Sequence, residues 1–285
     1  MRFDIEYTSI YSYPSEVWDN LNTVRVKPVS SMNQRVEGFE LRLSPDAPVS
    51  ERRDYFGTHV LEFGVHERHT ELRIDAACRV ATEAETLPGE TGWDRIATAE
   101  YRLAGGEFLL QAGTAPLNGQ LKELEEAVRA DSPLGTALRV AELIPQRFTY
   151  QPGVTFVGST VADLLEAGAG VCQDFVHMSL RLLRSHGIAS RYVSGYLFAA
   201  GEAGVLDSVE VQTHAWVEAL VPGDPEPTWI ELDPTNGKVA DETHVKIGHG
   251  RFYQDVPPIR GVYKGAVSSE LDARVSMHRL NGSTL

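Results

Sequence analysis

The stretch that decides the fold reads Ala-Gly-Val-Cys-Gln-Asp-Phe-Val-His over residues 169–177. Gly170 allows a tight turn, and Cys172 then stands at the predicted start of an amphipathic helix. The N-terminus of a helix carries about half a positive charge and several N–H groups without intrahelical partners. A thiol placed there ionises more easily, so the pattern predicts that Cys172 is a nucleophile.

The predicted helix runs from about Cys172 to His186, and Gly187 is well placed to end it. Apolar side chains cover much of its circumference, which is typical of a helix at the centre of a core. Three strands are predicted after it, over Ser190 to Phe198, Val209 to Val221 and Thr228 to Asp233. A proline-rich loop between the last two predicts that they form an antiparallel hairpin.

These two strands carry the polar side chains that a nucleophile needs. Alternation places His214, Trp216 and Glu218 on one face of the first strand, and the parity of the second strand places Asp233 on the same face. If the Cys172 helix packs against that face, nucleophile, base and orienting carboxylate come together. We therefore predict a Cys172, His214 and Asp233 triad.

Each member of the predicted triad has a distinct task. Cys172 attacks a carbonyl carbon, His214 holds the thiolate as an ion pair and later protonates the leaving amine, and Asp233 fixes the imidazole. The backbone N–H of Cys172 is a candidate donor to the developing oxyanion, whereas a side-chain donor such as Gln173 cannot be assigned from sequence.

Several neighbouring residues have plainer interpretations. Cys172 could be a buried structural cysteine, but the glycine turn, the helix start and the ordered partners favour a nucleophile. Cys78, in an alternating strand, is predicted to be structural. Asp174 is predicted to cap the helix or to support the residues around the thiol, rather than to take part in the chemistry. His177 lies about 140° around the helix from Cys172, so it is predicted to be structural.

The chain changes character near residue 114. Before it, short alternating runs separated by proline and glycine predict an N-terminal β-sandwich domain over residues 1–114. Residues 115–285 are predicted to form the catalytic domain with a C-terminal extension. Its first helices are predicted over Leu117 to Ala130, Leu134 to Phe148 and about Thr160 to Ala167. The tail from Gly237 is predicted to wrap this second domain and to end in one more strand.

Composition limits the possible partners. The chain has 285 residues and a formal net charge of −14, and this acidic balance disfavours binding to a nucleic-acid backbone. The N-terminus has no apolar signal core and no apolar stretch is long enough to span a bilayer, so we expect a soluble, cytoplasmic protein without a membrane partner. Two cysteines are too few for a disulfide framework.

No metal or cofactor is predicted. His59, His66 and His69 lie around a predicted hairpin, but no cysteine or carboxylate cluster with ligand spacing accompanies them. The sequence also lacks a run of acidic ligands like that of an EF-hand, so calcium activation is not expected.

Four motifs in order resemble those of the bacterial transglutaminase-like superfamily, whose core is related to papain-type cysteine peptidases. They are the nucleophile motif at residues 170–175, the following strand at 191–196, the histidine motif Thr-His-Ala-Trp at 213–216 and the aspartate motif Trp-Ile-Glu-Leu-Asp-Pro-Thr at 229–235. The resemblance covers about residues 140 to 265, and the first hundred residues resemble, more weakly, the β-sandwich that precedes this core in many members. Phe252 is a departure, since related sequences often have Asp there.

The resemblance implies an α+β fold, with an N-terminal β-sandwich followed by a papain-like transglutaminase core. It also implies a thiol acyl-transfer enzyme that forms a thioester at Cys172 from a glutamine side-chain or peptide amide. Hydrolysis is slightly favoured over transfer to an amine, because transfer requires that water be excluded. The alternatives are a protein-crosslinking transglutaminase and a non-catalytic scaffold that binds a partner; the sequence does not fix an oligomeric state.

Overall fold

The structure is a computed structural model that describes residues 1–111, 119–198, 208–211 and 213–280. Its α-helices are α1 (Ala99–Gly105), α2 (Gly119–Val128), α3 (Pro133–Arg147), α4 (Val161–Ala167) and α5 (Cys172–Ser185). Short 3-10 helices cover Trp93–Ala97, Gly106–Leu109 and Tyr253–Asp255. Its strands are β1 (Arg2–Val24), β2 (Gln34–Ser44), β3 (Val49–Arg53), β4 (His59–Val65), β5 (His69–Thr82), β6 (Thr149–Tyr150), β7 (Ala169–Gly170), β8 (Ser190–Leu197), β9 (Ser208–Val211), β10 (Thr213–Val221), β11 (Thr228–Asp233), β12 (Lys238–Val239), β13 (His244–Gly250), β14 (Ile259–Lys264) and β15 (Glu270–Arg279).

The N-terminal sheet is built around β1, a strand of 23 residues. The first half of β1 pairs with β5 and β15, and its second half pairs with β4 and β14, with a register shift between Ser12 and Val17. The sheet curls, so that side chains from both halves of β1 and from its partner strands share one core. This core includes Phe3, Ile5, Val24, Phe63 and Ile74. This curled antiparallel sheet occupies the place of the predicted β-sandwich.

The second sheet has five strands in the order β12-β11-β10-β8-β13. Helices α3 and α5 pack on one face of it, where apolar side chains of α5 such as Phe175 and Val176 meet Ala215, Val217 and Ile230. Tyr196 and Val245, from β8 and β13, join the core of the N-terminal sheet instead. The five-stranded sheet is therefore covered by helices on one face and borders the N-terminal sheet along its β8 and β13 side.

The predicted α+β class is confirmed. The predicted helices correspond to α2, α3, α4 and α5, although residues 117 and 118 of the first lie outside the described residues. The strand predicted over Val209 to Val221 is in fact two strands. β10 belongs to the five-stranded sheet, whereas β9 pairs with β15 in the N-terminal sheet.

The prediction for the C-terminal tail was partly wrong. β12 and β13 join the five-stranded sheet, and the tail ends in the predicted strand, β15. Instead of wrapping the second domain, β14 and β15 pair with β1, with Phe3 opposite Arg279 and Ser12 opposite Glu270. The alternation of polar and apolar residues from Glu270 to Arg279 suits a strand, and β15 lies between β1 and β9 in the sheet. The predicted boundary at residues 114 and 115 lies outside the described residues, so the two-domain division stays a prediction.

Candidate active site

The start of α5 is held by the carboxylate of Asp174, which is almost fully buried. Its Oδ2 accepts the backbone N–H of Val171 at 2.9 Å and the hydroxyl of Thr155 at 2.6 Å. The short parallel pair β6 and β7 supports the same turn, and Gln151 donates its N–H to the carbonyl of Gly170 at 2.9 Å. The predicted capping role of Asp174 is confirmed, and Cys172 becomes the first residue of the helix.

His214 and Asp233 meet, as the alternation predicts. His214 lies at the start of β10 and Asp233 ends β11; His214 Nε2 lies 2.9 Å from Asp233 Oδ2. This contact occupies Nε2 and leaves Nδ1 of the imidazole free of Asp233. Cys172 lies near enough to His214 to help raise the pKa of the imidazole. The Asp233 carboxylate is fully buried, while 11% of the His214 side chain is exposed.

Asp233 has further donors that fix its orientation. Its Oδ1 accepts the backbone N–H groups of Thr235 at 2.9 Å and Asn236 at 3.2 Å, and its Oδ2 accepts the Asn236 amide at 2.6 Å. The turn after β11, which begins at Pro234, supplies these donors. A buried carboxylate with this many donors stays ionised, because each donor offsets its lost hydration.

The pKa values of the pair move in the directions that the proposed chemistry requires. Burial lowers the pKa of His214, but its hydrogen bond to Asp233 and the attraction of Asp233 and Cys172 outweigh burial and raise the pKa to about 9. Burial raises the pKa of Asp233, but hydrogen bonds from His214, His244 and Asn236 hold it well below its usual range. His214 is therefore an imidazolium beside an ionised Asp233 at neutral pH.

Trp216 supports the imidazole from the same face of β10. Its ring stacks on the His214 ring, with centroids 6.2 Å apart and an interplanar angle of 28°. Its indole N–H donates to Glu231 Oε2 at 2.9 Å, which fixes the ring. Gly195 of the neighbouring strand makes room for it, since a Cβ at Gly195 would lie 2.3 Å from the Trp216 ring.

One detail of the predicted packing was wrong. The sequence predicted α5 against the face of β10 that carries His214, but the helix packs against the opposite, apolar face. The reason is simple burial: Ala215, Val217 and Ala219 offer α5 an apolar surface, whereas the other face carries Glu218. Cys172 therefore meets His214 at the start of β10, where the N-terminus of the helix lies.

His244 is a residue of the site that the sequence analysis missed. It begins β13 and its Nε2 lies 3.0 Å from Asp233 Oδ2, so two imidazoles contact one carboxylate oxygen. The alternation of His244 and Lys246 with Val245 and Ile247 was a signal of a strand. The glycine and proline content of the tail favours an irregular segment instead, and this masks the signal of the strand.

The face that carries His214 continues into a group of buried charges. Glu218 accepts hydrogen bonds from Arg191 and Lys246, and these cations hold its pKa well below the usual range despite burial. Glu231, directly across the ladder from Glu218, has its pKa raised to about 7 by burial and by the charge of Glu218. These residues line a cavity of about 320 Å³ that also borders Trp229 and His244.

Among the described residues, one group of side chains has metal-ligand geometry: ligand atoms of His214, Asp233 and His244 lie within 4.8 Å of one another. These atoms already form hydrogen bonds with each other. A metal ion there would take the Nε2 lone pair of His214 and so disrupt its contact with Asp233. In the N-terminal sheet, His59, His66 and His69 contact three separate partners, Glu51, Asp19 and Asn20.

The remaining predicted residues have clear places. Cys78 is buried in the N-terminal core, and burial raises the pKa of its thiol to about 12, as suits a structural cysteine. His177 packs against the Tyr192 ring with centroids 5.6 Å apart, and burial lowers its pKa to about 4. Phe252 packs under the guanidinium of Arg184, 4.6 Å from the ring centroid, and so does not face the triad.

Comparison with known proteins identifies the family of this chain. Residues 3–81 match the family model of the bacterial transglutaminase-like N-terminal region, and residues 122–234 match that of the transglutaminase-like superfamily. No helix within the described ranges has the length and apolar character needed to cross a membrane.

Two relatives and one solved structure illustrate the similarity. Uncharacterized protein ML0607 of Mycobacterium leprae is 32% identical over 98% of this chain and 99% of its own length. Uncharacterized protein Rv2569c of Mycobacterium tuberculosis is 32% identical over 100% of this chain and 95% of its own. A Cytophaga hutchinsonii protein described as a candidate cysteine protease superposes with a TM-score of 0.73 at 21% identity, over 99% of this chain and 92% of that one. The chain belongs to the transglutaminase-like superfamily and carries that superfamily's bacterial N-terminal region.

Proposed function

We propose that this protein is a thiol acyl-transfer enzyme in which Cys172, His214 and Asp233 cleave an amide through a thioester. The observation that carries the proposal is the His214 to Asp233 contact of 2.9 Å beside a cysteine at the N-terminus of α5. The contact explains why His214 is protonated at neutral pH, and a protonated imidazole stabilises a thiolate.

The reaction then follows from these three groups. The Cys172 thiolate attacks the carbonyl carbon of an amide and forms a C–S bond, and the oxyanion that develops lies near the N–H groups at the start of α5. His214 gives its proton to the amide nitrogen as the C–N bond breaks, so an amine leaves and a thioester remains. Water then attacks the thioester with His214 taking its proton, and a carboxylic acid is released as the thiolate re-forms.

The acyl donor in this proposal is a peptide amide or a glutamine side chain, and water is the favoured acceptor. Water reaches any open site, whereas transfer to an amine requires a site that excludes water. A protein-crosslinking transglutaminase is the second candidate, with a lysine amine in place of water in the last step. The two differ only in the acceptor, so the same experiment separates them.

The test is to trap the thioester and identify its fate. The protein is incubated with a library of peptides that contain internal and glutamine amides, with and without a primary amine such as cadaverine, and intact mass is followed over time. The proposal predicts a covalent adduct on Cys172, release of acid without amine incorporation, and an activity that falls as pH rises through about 9, where His214 loses its proton.

Cys172→Ala and His214→Ala serve as controls in the same assay. Amine incorporation in place of acid would favour the crosslinking enzyme. If wild type formed no adduct with any amide, and if wild type and Cys172→Ala bound a protein partner equally well, the chain would be a non-catalytic scaffold. The proposal would then be wrong.

A further inference from the structure

His244 lies in a chain of hydrogen-bonded side chains that extends from His214 through Asp233 to Lys238. Its Nε2 lies 3.0 Å from Asp233 Oδ2, and its Nδ1 lies 3.2 Å from Asp241 Oδ1. Asp241 in turn accepts a hydrogen bond from Lys238 at 2.7 Å. Only 1% of the His244 side chain is exposed, so the imidazole is fixed between two carboxylates.

The rings around His244 leave it little freedom to move. The Trp216 ring meets it edge-on with centroids 5.3 Å apart, and the His214 ring lies 6.2 Å away. The backbone N–H of Asp241 also approaches Nδ1 at 3.2 Å, and Phe198 and Thr243 bond the neighbouring turn to the sheet. The Nε2–H of His244 therefore points at one oxygen, Asp233 Oδ2.

That oxygen is the one that contacts His214. A buried carboxylate that loses a charge-assisted donor either takes up a proton or turns toward the donors that remain. Besides His214, the donors that remain to Asp233 are the Asn236 amide at Oδ2 and the backbone N–H groups of Thr235 and Asn236 at Oδ1. A turn of the carboxylate toward the backbone donors would weaken the contact of Oδ2 with His214. His244, the third donor at Oδ2 beside His214 and the Asn236 amide, thus helps to keep this oxygen ionised and in place.

Resting on the proposed function, we infer that His244 is a positioning residue, which donates Nε2–H to Asp233 and so holds the carboxylate toward His214. The hydrogen-bond partners of the His244 imidazole among the described residues are Asp233, Asp241 and Thr243, so it acts on Cys172 through Asp233. Its effect is therefore on the formation of the thiolate and imidazolium pair. Loss of the donor leaves less thiolate at neutral pH.

The chain offers a matched set of variants for the test. In His244→Gln the amide nitrogen takes the place of Nε2 and can still donate to Asp233, whereas in His244→Asn the amide nitrogen takes the place of Nδ1 and faces Asp241. His244→Leu keeps the volume and loses both contacts. The readout is the rate of iodoacetamide alkylation at Cys172 against pH, with thermal unfolding recorded for each variant.

We expect His244→Leu and His244→Asn to alkylate roughly tenfold more slowly than wild type near pH 7, the loss that corresponds to one charge-assisted hydrogen bond. His244→Gln should stay within about threefold of wild type on the same scale. If all three variants fold and alkylate like wild type, or if Gln and Asn are affected equally, the inference is wrong.

The same data separate this inference from the proposed function. Wild type is compared with His214→Ala in parallel. If Cys172 of wild type is alkylated no faster near pH 7 than Cys172 of His214→Ala, the thiolate and imidazolium pair itself is absent and the proposed function fails. If wild type shows the advantage and His244→Gln and His244→Leu both keep it in full, only the role of His244 is overturned.

Discussion

The two faces of the five-stranded sheet are built from the same strands but do different work. One face is apolar and packs against α3 and α5 through residues such as Val217 and Ile230. The other carries His214, Glu218 and Asp233, which form hydrogen bonds with other polar groups. Because alternate residues of a strand point to opposite faces, one hairpin supplies both a stable support and a reactive surface.

The difference shows how the site is kept rigid without being apolar. On the helix-covered face, burial of apolar area stabilises the fold, so its residues are interchangeable within limits of size. On the polar face each buried group depends on a named partner, and loss of one leaves another unpaired. We expect substitutions on the first face to change stability and those on the second to change reactivity.

The largest effect is expected for His214→Ala on the polar face. Without the imidazole, Cys172 loses its ion-pair partner and the leaving amine loses its proton donor. Turnover of an amide substrate should fall by roughly 10²–10⁴-fold, the usual contribution of a general acid and base. Initial rates measured with the best substrate from the peptide library check this, with thermal unfolding as the control. A variant that retained half of the wild-type rate would remove His214 from the mechanism.

On the apolar face, Ile230→Ala should act on stability alone. Ile230 is fully buried against the helices, and deletion of its branched side chain leaves a cavity. The free energy of unfolding should fall by about 2–5 kcal/mol. Urea denaturation measures this loss, and the alkylation profile of Cys172 in the folded protein should match wild type. A changed profile would mean that the two faces are not independent.

Gly195→Ala tests whether the packing between β8 and the Trp216 ring affects the reactivity of the site. The new methyl group would lie 2.3 Å from both the Trp216 ring and the carbonyl oxygen of Val245, so the ring or the strand has to move. Overpacking of this kind lowers stability by about 1–3 kcal/mol. We expect a lower melting temperature together with a slower alkylation of Cys172, because Trp216 stacks on His214. A stability loss with unchanged alkylation would show that the stacking has no effect on His214.

The smallest effect concerns the charges beyond the triad. The pKa of Glu231 is raised to about 7, so the folded state binds its proton more tightly than the unfolded state does. The resulting stabilisation is complete below the unfolded pKa of about 4.5 and is lost as pH rises through about 7. A quarter of the Glu231 side chain is exposed, and solvent screening reduces the effect. We therefore expect the free energy of unfolding to fall by about 1–2 kcal/mol between pH 4.5 and pH 8.

Glu231→Gln should remove that part of the pH dependence while it keeps an oxygen for the indole N–H of Trp216. The measurement is the free energy of unfolding at pH 4.5 and pH 8. The change between the two pH values in wild type is compared with the same change in Glu231→Gln. An identical pH dependence in the two proteins would show that Glu231 ionises normally.

Much of the core was predictable because its signals are local. The helix that starts at Cys172, the hairpin of β10 and β11, and the contact of His214 with Asp233 all follow from periodicity and a short loop. The cap by Asp174 was also predictable, since its position three residues after Val171 is enough.

The parts that could not be predicted depend on contacts between distant segments. The pairing of β15 with β1 joins residues about 270 positions apart, and no local pattern distinguishes it from a surface strand. His244 reaches Asp233 only because β13 adds to β8, a partner that its own sequence does not specify. To predict which face of the sheet α5 covers, the apolar content of both faces has to be compared. The position of His214 alone is not enough.

The most direct test of the account is the pH dependence of iodoacetamide alkylation at Cys172, followed by mass spectrometry in wild type and His214→Ala. The account predicts that wild-type Cys172 reacts rapidly well below pH 8, and that His214→Ala abolishes this advantage while Cys78 stays unreactive in both proteins. If Cys172 reacted like an ordinary thiol in both proteins, no thiolate and imidazolium pair would exist, and the catalytic account would be contradicted.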